Sequence, residues 1–312
     1  MRAIMTNAPL LGRIGLGQVE DAEPLPHEVV VHVQTISLNQ GEIRKALDDA
    51  PSGWVPGWDF AGVVQRAARV GAGPAEGDRV VGFLEEGAWK ERVAVPARNL
   101  AVLPKSVSAA AAATLPVAGL TALHALAEGG LLAGKRVLVN GASGGVGHLA
   151  LQLARASGAF VVGAVRRESQ REHAQADGAH RVVVSDDLSE VLSEKFDLVL
   201  EAAGGTALRH ALHALAGGGV CVCYGNSTRS ETTFDPFSFF FPHGRTRLVG
   251  FYLLPTLERE PASEGLDRLA RLVADGVLRP RIEVEASWKE VGSVVERFMR
   301  REITGKAVLH ID

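Results

Sequence analysis

The run Asn140-Gly141-Ala142-Ser143-Gly144-Gly145-Val146-Gly147 constrains the fold of this chain more than any other segment. An apolar, strand-like stretch at 136–139 precedes it, and a helical pattern at 146–157 follows. A glycine-rich turn between strand and helix lets backbone N–H groups approach a phosphate closely, and the helix N-terminus adds a favourable dipole. A second apolar run, 160–165, ends in Arg166-Arg167. Folds that bind NAD usually place an acidic residue about 20 residues past the glycines, where it holds the ribose hydroxyls. Two arginines stand there instead, and a 2′-phosphate suits them. The segment predicts a βαβ unit that binds NADPH. The spacing is Gly141-x-x-Gly144-x-x-Gly147 rather than the usual G-x-G-x-x-G, so the flanking elements carry as much of the reading as the glycines do. A plain glycine-rich turn and ordinary surface arginines are the blander alternatives.

At 312 residues the chain is long enough for two domains. The net charge of −3 gives no reason to expect nucleic acid or an anionic membrane as a partner. Residues 1–5 show no long apolar run with a cleavage site, so no signal peptide is expected. No stretch reaches about 18 uninterrupted apolar residues, the minimum for a membrane-spanning helix. The two cysteines, Cys221 and Cys223, alternate on an expected strand and share one face. Two thiols do not build a zinc site, and a disulfide across one residue is not expected. They read as core residues of a reduced, cytoplasmic protein.

Residues 1–115 read as short strands separated by turns, with strands at 28–37, 61–65, 79–83 and 88–95. This half predicts a compact antiparallel β domain. Helix begins at 109–113 and resumes at 121–127. From residue 136 strand and helix alternate, with strands at 136–140, 160–165, 181–184, 197–201, 220–224 and 247–251. Helices are expected between the first five, which means a parallel sheet. A Phe-rich linker, 225–246, leads to the sixth strand. The tail reads as helix 262–276, strand 281–284, helix 287–301 and strand 306–311. The strand at 247–251 is apolar and β-prone, and is expected at the sheet edge, where pairing with a second copy would form a homodimer.

Several further segments carry a resemblance. They are Ser37-Leu38-Asn39-Gln40-Gly41-Glu42, Pro56-Gly57-Trp58-Asp59-Phe60-Ala61-Gly62-Val63-Val64 and Gly77-Asp78-Arg79-Val80. Leu115-Pro116-Val117-Ala118-Gly119-Leu120-Thr121-Ala122-Leu123, the 141–147 loop and Gly305-Lys306-Ala307-Val308-Leu309 complete the set. In this order and spacing the chain resembles the medium-chain dehydrogenase/reductase superfamily, in its zinc-free quinone oxidoreductase branch. The resemblance implies an α/β fold: a GroES-like β domain, 1–115 completed by 256–312, plus a Rossmann-type doubly wound parallel sheet domain, 116–255. Dimerisation through the sheet edge at 247–251 is implied as well.

Zinc-dependent relatives carry a Cys near Asn39 and Gly-His-Glu near Gly57. Here those places read Asn39 and Gly57-Trp58-Asp59, with no thiolate or imidazole, so no metal is expected. His148 reads as a helix surface or packing residue. Without a Lewis acid, hydride addition to a quinone or an activated C=C bond is the easier chemistry, because the substrate delocalises the developing charge. The resemblance thus implies an NADPH-dependent oxidoreductase acting on a quinone or an α,β-unsaturated carbonyl. A pathway-specific enoyl reductase, and a slow-turnover NADPH-binding structural or regulatory protein, remain as alternatives.

The expected catalytic residues are Asn39 and Tyr252. Asn39 either bonds the substrate carbonyl or cofactor, or caps a strand end. Tyr252 either donates to the substrate oxygen or is an ordinary packed tyrosine. The expected cofactor-binding residues are Gly141, Ser143, Gly144, Gly145, Val146 and Gly147 in the loop, with Arg166 and Arg167 on the 2′-phosphate. Thr121 either faces the nicotinamide or caps a helix. Ala202, Tyr224, Gly225 and Phe251 follow the later strands, at the carboxyl edge where ligands of such sheets bind. Lys306 either reaches the cofactor or caps the sheet. Asp59 is expected to bond backbone in a turn. Trp54 and Trp58 either wall an apolar pocket with Phe240 or pack in the β domain. The physiological substrate depends on loops such as 48–56 and 234–244.

Overall fold

The computed structural model describes residues 1–7, 13–21, 23–241 and 244–312, so the 242–243 part of the Phe-rich linker lies outside the described residues. The chain forms two compact units, Met1–Leu120 with Leu254–Asp312, and Thr121–Leu253.

The first unit opens with a hairpin, β1 (Arg2–Thr6) and β2 (Ile14–Gln18), paired antiparallel. The long strand β3 (Glu28–Ser37) follows from its β-branched run, which suits a pleated, half-buried surface. Then come α1 (Gln40–Asp48), β4 (Asp59–Arg66), β5 (Arg79–Phe83), β6 (Arg92–Pro96) and β7 (Leu100–Val102). Helix α2 (Ala109–Ala113) is short and all alanine; the Ser108 hydroxyl accepts from Ala111 N and caps it. Helix α3 (Pro116–Ala127) starts on a proline, whose fixed φ suits a first helical position.

The second unit contains β8 (Arg136–Asn140), α4 (Gly145–Ala156), β9 (Phe160–Val165), α5 (Arg171–Ala176), β10 (Arg181–Val184) and β11 (Phe196–Glu201). It continues with α6 (Gly205–His213), β12 (Leu215–Cys223), α7 (Pro236–Phe240) and β13 (Arg247–Gly250). Its six strands are parallel and ordered β10-β9-β8-β11-β12-β13, the strand order of a doubly wound dinucleotide-binding sheet. Leu138, Phe196, Val199, Leu215 and Cys221 form one buried cluster of this unit.

The chain then returns to the first unit as α8 (Leu253–Arg259), α9 (Ala262–Ala274), β14 (Ile282–Ser287), α10 (Val291–Met299) and β15 (Lys306–His310). Strand β15 pairs antiparallel with β3, so the seven-stranded sheet is completed by the C-terminal end of the chain. Ile36, Phe60, Trp89 and Trp288 lie in its core.

Several local expectations shift. Between β10 and β11 the connection is a single 3-10 turn, Ser189–Val191, and not a helix. The strand expected at 88–95 begins only at Arg92; the buried Ala88 and Trp89 donate instead to Gly57 O and Pro56 O, and Lys90 N turns back to Ala88 O. The expected helix 287–301 divides into a 3-10 turn, Trp288–Glu290, and α10; the Ser287 hydroxyl accepts from Lys289 N and starts it. The first unit is antiparallel except that β14 and β15 run parallel. Among the described residues no helix is long and apolar enough to cross a membrane.

Candidate functional site

Parallel register brings four of the expected cofactor residues into one row. Across the sheet Ala164 is opposite Asn140, Val139 opposite Leu200, Glu201 opposite Cys223, and Cys223 opposite Gly250. One residue further on, at the carboxyl ends of the strands, stand Gly141, Ala202, Tyr224 and Phe251. The ladder hydrogen bonds run out into this row: Ala142 N donates to Ala164 O, Tyr224 N to Glu201 O and Phe251 N to Cys223 O. A Cβ placed on Gly141 would lie 3.7 Å from the Ala202 methyl, and one on Gly225 would lie 3.0 Å from Ala202 O. At Gly141, Ala202 and Gly225 the edge is therefore backbone and small side chains, as close approach of a pyrophosphate requires, while Tyr224 and Phe251 stand beside them.

The glycines of the loop have distinct tasks. Gly141 holds φ +73°, a conformation that strains other residues. Gly147 is buried against the turn; a Cβ there would meet Gly141 O at 2.2 Å. Gly144 is the N-cap of α4 with extended backbone, and is exposed. Ser143, Gly145 and Val146 are half-buried around it. His148 is fully buried, and its Nδ1 lies 2.9 Å from Gly144 O. Its ring thus pins the cap from inside the helix. Arg166 and Arg167 follow β9 directly and are both exposed.

Two buried polar residues beneath the row escaped the sequence reading. Glu201 closes β11 and is inaccessible to solvent. Its carboxylate accepts from Asn140 Nδ2 at 2.8 Å, Ala203 N at 2.7 Å and Gly204 N at 3.0 Å. Asn140 and Glu201 thereby tie the glycine loop to the Ala202 turn. Burial raises the Glu201 carboxyl, and burial together with the Glu201 charge raises the Tyr224 phenol. The only sequence signal for this pair is a polar residue ending each of two apolar strands.

In the first unit Lys306 and Asn39 form a different structure. The Lys306 ammonium is 2% exposed and makes three hydrogen bonds: to Leu38 O at 3.1 Å, Asn39 Oδ1 at 2.7 Å and Asp59 Oδ2 at 3.3 Å. All three protons are used, so Lys306 neither reaches out to a cofactor nor caps the sheet. It is the cation of a buried ion pair. Asn39 Nδ2 donates to Asp59 Oδ2 at 2.8 Å and to Glu42 Oε1 at 3.0 Å. With both amide hydrogens engaged, Asn39 has none to offer a substrate carbonyl. It stands at the N-cap of α1, not merely at a strand end.

Asp59 also accepts from Val117 N at 2.9 Å. It therefore caps the first turn of α3. Thr121 is not a helix cap, since it lies in the second turn, 7% exposed. Glu42, missed in the sequence, accepts from Asn39 N and Trp58 N, each at 2.7 Å. Burial and the neighbouring Asp59 charge push its carboxyl well above the ordinary range, against the pull of Lys306 and Asn39. Trp58 packs its ring over Gly41. Trp54 donates to Glu86 and stacks under Lys45 Nζ. Tyr252 is 64% exposed, so it is not a packed tyrosine.

A catalytic zinc does not fit these donors. An amide and an indole stand where soft ligands would be needed, and an ammonium already neutralises Asp59. Among the described residues no group of three or more His, Cys, Asp or Glu could hold a metal ion.

Two family models match in the order the fold requires: an alcohol dehydrogenase GroES-like domain over residues 25–105, and a zinc-binding dehydrogenase domain over residues 145–270. The chain is 34% identical to a 2-methylene-furan-3-one reductase of Solanum lycopersicum, over 57% of this chain and 50% of that protein. It is 31% identical to a phthioceranic/hydroxyphthioceranic acid synthase of Mycobacterium bovis, over 96% of this chain and 15% of that protein. The chain thus spans half the length of the tomato relative and a small part of the synthase. A crystal structure of a quinone oxidoreductase from Pseudomonas syringae superposes with a TM-score of 0.86 and 26% identity, covering 99% of each chain. The chain belongs to the medium-chain dehydrogenase/reductase superfamily, in its quinone oxidoreductase-like branch.

The buried ion pair has a measurable consequence. Lys306→Met removes the cation paired with Asp59, and is expected to cost about 3–5 kcal/mol of stability. Asp59→Asn in the same background restores part of that loss. Urea unfolding of the first unit, followed by tryptophan fluorescence, checks both.

Proposed function

We propose that this chain is an NADPH-dependent, zinc-independent oxidoreductase that transfers hydride to a quinone or an α,β-unsaturated carbonyl. The observation that carries the reading is the glycine-rich carboxyl edge of the sheet, with Arg166 and Arg167 exposed at the end of β9. The superfamily uses a nicotinamide cofactor, whose reduced form supplies hydride. The backbone N–H groups at the start of α4 suit its pyrophosphate, and the two guanidinium groups suit a 2′-phosphate through bidentate bonds. The name of the tomato relative, a reductase of a methylene-furanone, supports an electron-poor C=C substrate.

Within this reading Tyr252 is the proton or hydrogen-bond donor to the substrate oxygen, because its side chain is exposed. Asn39 acts instead as part of the scaffold around Lys306. Gly225, Tyr224, Ala202 and Phe251 line the cofactor through their backbone, and Thr121 completes the binding set. The free thiols Cys221 and Cys223 accord with a reduced, cytoplasmic setting. A pathway-specific enoyl reductase is the second reading, favoured by the synthase segment that matches 96% of this chain.

The cofactor test is a pair of dissociation constants. NADPH is expected to bind more tightly than NADH, and the double variant Arg166→Ala/Arg167→Ala should weaken NADPH about tenfold or more. Gly144→Val should keep its circular dichroism spectrum, since a Cβ there approaches only Gly141 O, at 3.3 Å, yet lose NADPH. Equal affinities in the parent would reject the NADPH assignment. Turnover of a simple quinone and a simple enone, undiminished by chelator, separates a general reductase from a dedicated one.

The reading includes a homodimer. β13 is the sheet edge, with Leu248 41% exposed, and Phe237, Phe240 and Phe241 form an exposed aromatic cluster before it. An unpaired apolar edge strand invites pairing with a second copy. Light scattering should give a dimer for the parent and a monomer for Val249→Pro, which removes a ladder donor. A parent that stays monomeric at micromolar concentration rejects the dimer.

A further inference from the structure

The turn after β9 contains a carboxylate as well as two arginines. Glu168 directly follows the two arginines, next to the place where NAD-binding folds put the acid that holds the ribose hydroxyls. It stands one residue beyond Arg167 in a short 3-10 turn, Glu168–Gln170, and its side chain is 70% exposed. A free carboxylate there would repel a 2′-phosphate and accept from ribose hydroxyls, and both effects favour NADH.

Glu168 is not free. The Arg171 guanidinium meets it with two parallel bonds, Nε to Oε1 and a terminal nitrogen to Oε2 at 3.1 Å. The other terminal nitrogen of Arg171 donates to Val182 O on β10 at 2.8 Å. The guanidinium is therefore anchored to the sheet, and the carboxylate is anchored to the guanidinium. The bond from Arg171 holds the Glu168 carboxyl below the ordinary range, so the group is an anion at neutral pH. An exposed ion pair three residues apart adds little to stability. Its two-point geometry, by contrast, takes up an acceptor site on each oxygen and neutralises the charge that would hold a ribose and repel a phosphate.

Resting on the NADPH reading above, we propose that Arg171 is a specificity-determining residue, which masks Glu168 and so lets the turn after β9 accept a 2′-phosphate. Arg171 acts through Glu168 and is a positioning residue, not a ligand of the cofactor.

The experiment measures NADPH and NADH dissociation constants by nucleotide fluorescence in four proteins: the parent, Arg171→Ala, Glu168→Gln and the double variant. Arg171→Ala is expected to lower the preference for NADPH about three- to fivefold, the effect of one unmasked surface charge. Glu168→Gln should keep or raise the preference. The double variant should regain the parent ratio, because no carboxylate is left to mask. An unchanged ratio in Arg171→Ala overturns the inference. So does a lowered ratio that the double variant fails to restore, since the loss would then come from the Val182 anchor. A parent that binds both nucleotides equally fails at an earlier point and removes the NADPH reading together with the inference.

Discussion

An ammonium taken out of water needs a full set of acceptors, and in this chain Lys306 obtains them from places far apart in sequence. Leu38 and Asn39 end one segment, Asp59 begins β4, and Lys306 itself begins β15. Asp59 then extends the network to the first turn of α3. Four segments of the first unit are thus held by one charge. A buried ion pair adds little net stability compared with an apolar replacement, but removing one partner is costly. The network therefore acts as a requirement that all four segments arrive together. It also accounts for Asn39: its amide is consumed in holding Glu42 and Asp59 rather than displayed to a substrate.

The second unit follows the opposite principle. Its candidate site is made by leaving atoms out. Gly141, Gly144 and Gly225 expose backbone at the ends of adjacent parallel strands, and Gly147 lets α4 pack onto the turn. The polar groups that hold this bare edge lie underneath. Glu201 gathers N–H groups from Asn140, Ala203 and Gly204, and His148 fixes Gly144 from within the helix. Positive charge is added at the end of β9, by Arg166 and Arg167. The division is physically sensible, because a phosphate needs donors and room at its oxygens, whereas the frame behind it needs satisfied, immobile polar groups.

Much of this was legible in the linear sequence. The strand spans at 136–140, 160–165 and 181–184 coincide with β8, β9 and β10, since apolar runs bounded by glycine and charged residues have few other solutions. The 61–65 and 197–201 runs were read short by one or two residues at their ends. The hairpin of β1 and β2 left no comparable signal, because its five-residue strands include Gly15 and Gly17 and lack a strong alternation. The missing helix between β10 and β11 shows the same limit in reverse: alternation of elements suggests a crossover helix, but a 3-10 turn suffices here.

By itself the sequence determined the parallel βαβ order, the glycine loop and the basic end of β9, because each depends on local conformation and on residues near one another in the chain. Only the tertiary structure decided what Lys306, Asn39, Asp59, Glu42 and Glu201 do. Each is a polar residue whose meaning rests on a partner that can be hundreds of positions away, and burial compels that partnership without leaving a periodic trace. Lys306 looked available for a cofactor and proves fully committed. Glu42 and Glu201 looked unremarkable and prove to be buried organisers. Sequence pattern reports which side chains avoid water; which polar groups must then satisfy one another is settled when the sheet closes.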